Sequence, residues 1–390
     1  MKSVILRAPL LTQSGYGVHA RQIARWLFDL ADSRGDIEVV TEPLRWGDTP
    51  WLTDPDSHGG LIGRIIQHSI QKPKYDVSLQ LQLPNEWNPF LADFNVGLTA
   101  AVEADRCNPE WINACNRMDL IIAPSEFVKG VLTGDGKVLK KEIKVVPESF
   151  VDAILREDIK PFPLTEATTD FNFLVFGQIT GNNPENDRKN LFYTCKWLAE
   201  QFKDSPNVGV VIKTNMGRNT TIDRLKTQQV LSQLLTEVQK TSSPRFYLLH
   251  GDMTDEEVAG LYRNPTLKAM VALTRGEGFG LPILEAAASG LPVIASGWSA
   301  HTEFLGRGKY IKVDTTLAPV HESRIDGQIF QQGFQWGRVS EDDAKRKLKK
   351  FVESPSLPTV WAKDLSKILK KEYSFEAIAK HYTEALKGII

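Results

Sequence analysis

The chain has 390 residues, of which 42% are hydrophobic and 24% are charged, and its formal net charge is −1. This composition is typical of a globular protein with up to two domains, and the near-neutral charge gives no reason to expect nucleic acid as a partner. No apolar run approaches the ~18 residues that cross a bilayer, and three scattered cysteines do not suit a disulfide framework or a zinc site. We therefore expect a cytoplasmic protein.

Strands and helices alternate through the first third of the sequence. Apolar runs predict strands at residues 4–7, 37–41, 77–83, 94–98, 120–123 and 143–147, and helical periodicity predicts helices at 17–30, 61–70, 110–117 and 126–132. This alternation favours a parallel sheet covered on both faces. Residues 149–169 contain prolines and have no period, so we interpret them as a linker.

A second alternating unit begins at residue 171. Strands are predicted at 171–177, 208–213, 245–250, 268–273 and 292–295, and helices at 190–202, 221–239, 255–262, 282–289, 340–353, 360–371 and 375–386. Residues 306–338 are rich in glycine and glutamine, and we expect a loop insertion there.

The most informative stretch is residues 274–292, TRGEGFGLPILEAAASGLP, between two of these strands. A glycine-rich loop leads into a helix that has Pro282 inside its start and Gly290 beyond its end. The N–H groups and the positive dipole end of such a helix suit a phosphate. Glu277 and Glu285 add carboxylates, which are good acceptors for sugar hydroxyls. The stretch therefore predicts a nucleotide-sugar site.

This stretch resembles the E-x7-E signature of retaining glycosyltransferases, in particular family 4, which has the GT-B fold. The resemblance implies an α/β protein with two Rossmann-like domains that face each other across a cleft. Residues 1–160 would form the acceptor domain, residues 161–373 the donor domain, and a C-terminal helix, 374–390, would cross back to the first domain. Glu277 would hold hydroxyls of the transferred sugar and Glu285 the ribose, and the donor would also contact the loop residues Gly278, Phe279, Gly280 and Leu281.

Basic residues at strand ends are the candidates for the donor diphosphate. Arg188 and Lys189 follow the strand at 171–177 and resemble the basic position of the family, so Lys189 is also a catalytic candidate. The arginine of the family is absent from the turn Gly177-Gln178, and Arg188 could replace part of its role. Lys213 ends the next strand and is either a second phosphate contact or a solvated lysine.

Two further segments resemble parts of the family site. The turn with His250, Gly251 and Met253 would lie beside the nucleotide base, although His250 could equally be structural. Gly15 and Gly17 form the first glycine-rich loop and would let the backbone approach the donor.

Glu103 is the third catalytic candidate, after Glu277 and Lys189. It lies in a loop where a subset of the family places an acidic residue, or it is a surface glutamate paired with Arg106.

The sequence has no D-x-D pair after a strand and no cluster with metal spacing. We expect metal-independent transfer of a sugar from a nucleoside-diphosphate sugar to a glycan, a lipid-linked or another hydroxyl acceptor, with retention of configuration and without a cofactor. The alternatives are a nucleotide-sugar epimerase of similar fold and a catalytically idle nucleotide-sugar binding protein. Neither the sugar, the base nor the acceptor follows from the sequence.

Overall fold

The computed structural model describes residues 1–101, 103–134, 139–177 and 183–390, and the chain divides into two compact units. The first unit comprises Met1–Val102, Arg106–Ser149 and Phe375–Ile390, and the second comprises Glu103–Asp105 and Phe150–Ser374. The chain therefore passes from the first unit to the second after Ser149, before the predicted boundary at residue 160.

The described residues of the first unit form a six-stranded sheet in which every pairing is parallel. Its elements before the linker are β1 (Lys2–Ala8), α1 (Gly15–Arg34), β2 (Ile37–Pro43), α2 (Leu61–Gln67), β3 (Val77–Leu81), β4 (Phe94–Leu98), α3 (Pro109–Cys115), β5 (Leu120–Ala123), α4 (Glu126–Thr133) and β6 (Ile143–Val145). The strand order is β2-β1-β3-β4-β5-β6. Sequential βαβ connections across such a sheet give a Rossmann-like unit.

The second unit contains another parallel six-stranded sheet, again counted over the described residues. Its elements are β7 (Phe171–Phe176), α5 (Leu191–Gln201), β8 (Val208–Thr214), α6 (Thr221–Val238), β9 (Arg245–His250), α7 (Asp255–Tyr262), β10 (Leu267–Ala272), α8 (Leu281–Ala288), β11 (Val293–Ser296), α9 (His301–Leu305), β12 (Ile311–Val313), β13 (Thr315–Pro319), β14 (Gln335–Val339), α10 (Glu341–Glu353) and α11 (Ser356–Glu372). The strand order is β12-β11-β10-β7-β8-β9. This order places the strand before the glycine-rich loop, β10, at the centre of the sheet.

The last helix, α12 (Phe375–Ala385), belongs to the first unit, as the family resemblance implies. The hydroxyl of Tyr382 lies 2.7 Å from Nε2 of His19 on α1, and Nε1 of Trp26 donates a 3.0 Å hydrogen bond to Thr383. The guanidinium of Arg25 stands 3.7 Å from the centre of the Phe375 ring. Contacts of this kind along α1 fix α12 to the unit that contains the start of the chain.

The expectation of a loop insertion at 306–338 is wrong in part, because this segment contains β12 and β13 and most of β14. β13 and β14 form an antiparallel pair, in which Trp336 is buried and packs on Phe330 with ring centres 5.7 Å apart. The strands are short and three of the five residues of β13 are exposed, so their apolar pattern is weak in the sequence. Across the residues that the structure describes, no helix combines the length and the apolar character that a membrane span requires.

Candidate donor-binding site

The predicted donor residues of the second unit follow four neighbouring strands. β10, β7, β8 and β9 lie side by side and run parallel. Their carboxyl ends therefore share one edge of the sheet, where ligands of open α/β sheets bind. Glu277 follows β10, Lys189 follows β7, and Lys213 and His250 lie at the ends of β8 and β9. The sequence placed these residues on separate strands, and the strand order brings those strands together.

The loop of residues 274–280, hereafter the donor loop, ends in the first turn of α8. Gly280 has φ 102° and precedes the helix, whose N-terminus no side chain caps. A Cβ at position 280 would lie 3.3 Å from Cβ of His301, so both the backbone conformation and the space favour glycine. Phe279 is buried against Phe304, and Leu281 is buried as well. The start of α8, one residue before the predicted start, thus has no side-chain cap, and its positive dipole end suits an anion.

Glu277 is a buried carboxylate between two cations, with 6% of its surface exposed. Nζ of Lys189 donates a 2.7 Å hydrogen bond to one carboxylate oxygen, and a guanidinium nitrogen of Arg188 donates a 3.1 Å bond to the other. Burial by itself would raise the pKa of Glu277, but Lys189 and Arg188 outweigh it and hold the pKa at about 2. The side chain is therefore ionised at neutral pH.

The segment with Arg188 and Lys189 is bonded to the donor loop along its length. The Arg188 guanidinium also donates a 2.7 Å hydrogen bond to the carbonyl of Gly276. The backbone carbonyl of Arg188 accepts a 2.8 Å hydrogen bond from the N–H of Arg275. The sequence assigned both cations to the diphosphate, whereas in the structure both contact Glu277. An ammonium group has three donors, so Lys189 retains others for phosphate oxygens. Gln178, in the turn that departs from the family, lies outside the described residues.

Glu103 belongs to the second unit, although the chain on both sides of residues 103–105 belongs to the first. Its carboxylate lies 3.3 Å from the Arg188 guanidinium, so the partner of this ion pair is Arg188, where the sequence suggested Arg106. A Cβ at position 276 would lie 2.5 Å from the carbonyl oxygen of Glu103, which explains the glycine there. The predicted catalytic residues Glu103, Lys189 and Glu277 thus form one ion-pair network around Arg188.

Glu285 is buried in α8, and no cation of the described residues forms an ion pair with it. The hydroxyl of Tyr262 donates to its carboxyl group at 3.3 Å. Burial, helped by the charge of Asp255, raises the pKa of Glu285 to about 8, although the Tyr262 bond acts in the opposite direction. The carboxyl is therefore mostly protonated at pH 7 in the ligand-free protein, which the sequence did not reveal.

Lys213 is buried at the end of β8 and is not the solvated lysine that was the alternative. Nζ donates to the side chain of Asn215 at 2.7 Å and to the carbonyl of Gly251. Burial lowers its pKa to about 8, against the opposing charge of Asp252. Lys213 is therefore held against the turn that the sequence assigned to the base.

In that turn, Gly251 has φ 113°, a conformation that suits glycine, and Met253 is half-buried. Nε2 of His250 is buried and has no hydrogen-bond partner within the described part of the chain. An orphaned buried nitrogen at this edge fits a group that a bound ligand would satisfy.

Gly15 and Gly17 lie in the first turn of α1 in the first unit. A Cβ at position 17 would lie only 2.0 Å from the carbonyl oxygen of Thr12, so close packing explains this glycine without a ligand. A Cβ at position 15 would meet no atom within 4 Å. Their contact with the donor stays a prediction.

Sequence reasoning missed Ser299 and His301, which hold the backbone of Glu277 from the side of β11 and α9. The N–H of Glu277 donates to Oγ of Ser299 at 2.9 Å, and its carbonyl accepts from the N–H of Ala300 at 3.2 Å. No local pattern marks these residues, because their importance comes from a contact across the sheet edge. Among the described residues, no group of three or more His, Cys, Asp or Glu side chains is arranged to hold a metal ion.

The fold agrees with the comparisons to known proteins. Residues 223–323, about a quarter of the chain, match the family model described as glycosyl transferases group 1, and the matched region includes both Glu277 and Glu285. No curated protein matches the chain significantly by sequence. The α/β architecture with two parallel six-stranded sheets is the GT-B fold.

Three solved structures illustrate the similarity over the whole chain. The sucrose-phosphate synthase of Thermosynechococcus elongatus is 13% identical with a TM-score of 0.64, and the match covers 99% of this chain and 98% of the synthase. A glycosyltransferase of Rickettsia africae is 12% identical with a TM-score of 0.63, and the match covers 100% of this chain and 98% of the Rickettsia chain. Anabaena HepE, solved with UDP and glucose, is 14% identical with a TM-score of 0.58 and covers 99% of both chains. At these identities the similarity establishes the fold.

Proposed function

We propose that this protein is a retaining glycosyltransferase of family 4 that binds a nucleoside-diphosphate sugar at the donor loop and transfers the sugar to a hydroxyl acceptor. The observation that carries the proposal is Glu277, a buried and ionised carboxylate between Lys189 and Arg188, close to the uncapped start of α8. A carboxylate that is fixed in this way accepts hydrogen bonds from sugar hydroxyls, and the helix start and the cations receive the diphosphate.

The diphosphate has several candidate partners in the second unit. Lys189 and Lys213 are both held by oxygen acceptors, so little reorganisation is needed when phosphate binds. These cations and the positive dipole end of α8 would neutralise the leaving diphosphate, and we propose that no metal is required. His250, Gly251 and Met253 would contact the base, and Glu285 the ribose.

Transfer with retention requires the acceptor oxygen to approach on the face from which the diphosphate leaves. The bond between the anomeric carbon and the phosphate oxygen breaks, the bond to the acceptor oxygen forms, and the phosphate oxygen takes the acceptor proton. Glu277 would hold the sugar hydroxyls during this exchange. Glu103, beside Arg188, would adjust the charge at the same edge.

The acceptor would contact loops of the first unit. Tyr16 stacks on Trp46 with ring centres 4.1 Å apart, and Trp51 and Phe90 are exposed by 40% and 90%. Aromatic surfaces of this kind suit a sugar ring or another amphipathic acceptor. All three cysteines are buried and form no disulfide with one another, which fits the cytoplasm as the proposed compartment.

The test is turnover of UDP-, GDP- and ADP-sugars with and without a panel of hydroxyl acceptors, with the anomer of the product determined by NMR. We expect nucleoside diphosphate and a glycoside of retained configuration. Isomerisation of the donor sugar without an acceptor would indicate the epimerase, and binding of a donor without turnover would indicate the idle binding protein. A product of inverted configuration would contradict the retaining mechanism.

A further inference from the structure

We infer that Ser299 and His301 are positioning residues for Glu277: they form a hydrogen-bonded relay that fixes the backbone of the carboxylate proposed to hold the transferred sugar. This inference deepens the proposed function and rests on it. The relay consists of the N–H of Glu277, the hydroxyl of Ser299 and the imidazole of His301. Glu277 lies in the donor loop, Ser299 lies just before α9, and His301 is the first residue of α9.

The direction of each hydrogen bond follows from its acceptor. Nε2 of His301 lies 2.8 Å from the carbonyl oxygen of Ser296, which can only accept, so Nε2 carries a proton. Burial lowers the pKa of His301, so the ring is neutral and Nδ1 is an acceptor. Oγ of Ser299 lies 3.2 Å from Nδ1, so the hydroxyl donates a hydrogen bond to this ring nitrogen. Its lone pair remains for the N–H of Glu277 at 2.9 Å.

The relay and the cations hold different parts of the same residue. Lys189 and Arg188 contact the carboxylate of Glu277, whereas residues 299 and 300 contact its N–H and carbonyl. If only the cations held Glu277, the backbone could shift while both ion pairs persisted. The relay removes this freedom, so the carboxylate is fixed relative to the start of α8.

The conformation of Ser299 indicates that its side chain is required. Its φ is 84°, in the left-handed region that favours glycine, and 4% of its surface is exposed. A residue with a Cβ is strained there, and such strain persists only where the surroundings enforce it. His301 is fully buried, and its Cβ packs against the position of Gly280. The strained serine and the buried histidine therefore meet beside the donor loop.

The relay allows variants that separate positioning from folding. Ser299→Gly removes the hydroxyl and also relieves the backbone strain, and this relief offsets part of the stability lost with the two hydrogen bonds. His301→Asn keeps an acceptor near the place of Nδ1, whereas His301→Gln keeps a donor near the place of Nε2. Because only the first preserves the bond to Ser299, we expect His301→Asn to behave more like the wild type.

The matched control is Ser289→Ala. Oγ of Ser289, just after α8, is buried and has no hydrogen-bond partner among the described residues. Its removal takes away a hydroxyl beside the same helix without touching the relay.

The experiment measures the dissociation constants of UDP and UDP-glucose by calorimetry and the rate of UDP release from UDP-glucose. For Ser299→Gly and His301→Gln, we expect the constant for UDP to stay within about twofold of the wild type. The preference for UDP-glucose over UDP and the release rate should each fall about tenfold, the effect of one lost buried hydrogen bond. Ser289→Ala should match the wild type, and His301→Asn should lie between.

Hydrogen exchange of the Glu277 amide provides a readout that needs no ligand. Exchange should be at least about tenfold faster in Ser299→Gly than in the wild type. Unchanged exchange and an unchanged sugar preference would overturn the relay. Equal loss of UDP and UDP-glucose binding would overturn its positioning role. A wild type that binds none of UDP, GDP, ADP and their glucose derivatives would refute the proposed donor site instead, and amide exchange would still decide whether the relay holds Glu277.

Discussion

Glu103 and Arg188 form an ion pair at 3.3 Å, although they come from chain segments on opposite sides of the linker. Arg188 also contacts Glu277, so two carboxylates share one guanidinium. This sharing leaves the two cations and two carboxylates of the network balanced in charge before a donor binds. A substitution that removes one of these charges should therefore change the affinity for UDP, and the direction of the change indicates the role of that residue in donor binding.

Glu103→Gln should strengthen UDP binding by a few-fold, because Arg188 then keeps more of its charge for phosphate oxygens. The pair is about a quarter exposed on each side, which limits the effect. If Glu103 also acts in catalysis, turnover should fall despite the tighter binding. Titration with UDP measures the change, and Glu110→Gln on the exposed face of α3 is the control. Weaker UDP binding by Glu103→Gln would contradict this role for the ion pair.

Glu277→Gln should destabilise the protein near pH 7 by roughly 1–3 kcal/mol, because two charge-assisted hydrogen bonds lose their acceptor charge. The pKa of Glu277 is lowered from 4.5 to about 2, so its contribution to stability is present above about pH 4.5 and is lost as the pH falls through 2. The difference from the wild type should shrink across this acidic range. Denaturant titrations at several pH values measure it, and a difference that does not depend on pH would count against the ion pairs.

Glu285→Gln should have the opposite pH dependence. The pKa of Glu285 is raised from 4.5 to about 8. The contribution of its protonated form to stability is therefore fully present below about pH 4.5 and is lost as the pH rises through 8. The wild type should therefore lose stability between these values, and Glu285→Gln, which cannot ionise, should lose less. We expect the variant to be the more stable protein at pH 8, by thermal unfolding. Parallel curves for both proteins would show that Glu285 does not titrate in this way.

UDP should stabilise the wild type equally with and without EDTA, because protein cations and the start of α8 receive the diphosphate in our proposal. At about 100 times its dissociation constant the gain should be about 2.7 kcal/mol. Lys189→Met should reduce this gain, and Lys203→Met, at an exposed position, should not. Thermal shift assays measure both effects. A stabilisation that disappears with EDTA and returns with Mg²⁺ or Mn²⁺ would refute metal independence.

The two glutamates of the donor motif should differ in kinetics. Glu277→Ala should lower turnover by about 10- to 150-fold, since its contacts lie at the reacting sugar. Glu285→Ala should mainly weaken donor affinity, because ribose contacts change little in the transition state. Steady-state kinetics with UDP-glucose separate the two effects. Wild-type kinetics for a folded Glu277→Ala protein would show that the donor loop is not the donor site.

The sequence by itself determined the α/β class, most of the elements and the place of the glycine-rich loop before α8. Apolar strands, helical periodicity and the pattern GEGFGLPILE depend only on residues that are close together in the sequence, so the sequence alone reveals them. The last helix was also predictable, although its return to the first unit came from the resemblance. The β13–β14 pair was missed because its short strands are partly exposed and carry little periodicity.

Only the tertiary structure decided the partners and the charge states at the site. Glu277 meets Lys189 and Arg188, and Glu103 meets Arg188, because distant segments pack together at one sheet edge. Glu277 and Glu285 have the same side chain and the same motif, yet their pKa values shift in opposite directions. Burial penalises the charge of both, and within the described part of the chain only Glu277 has cations close enough to reverse this effect. Such a difference depends on distances across the fold, which the order of residues does not contain.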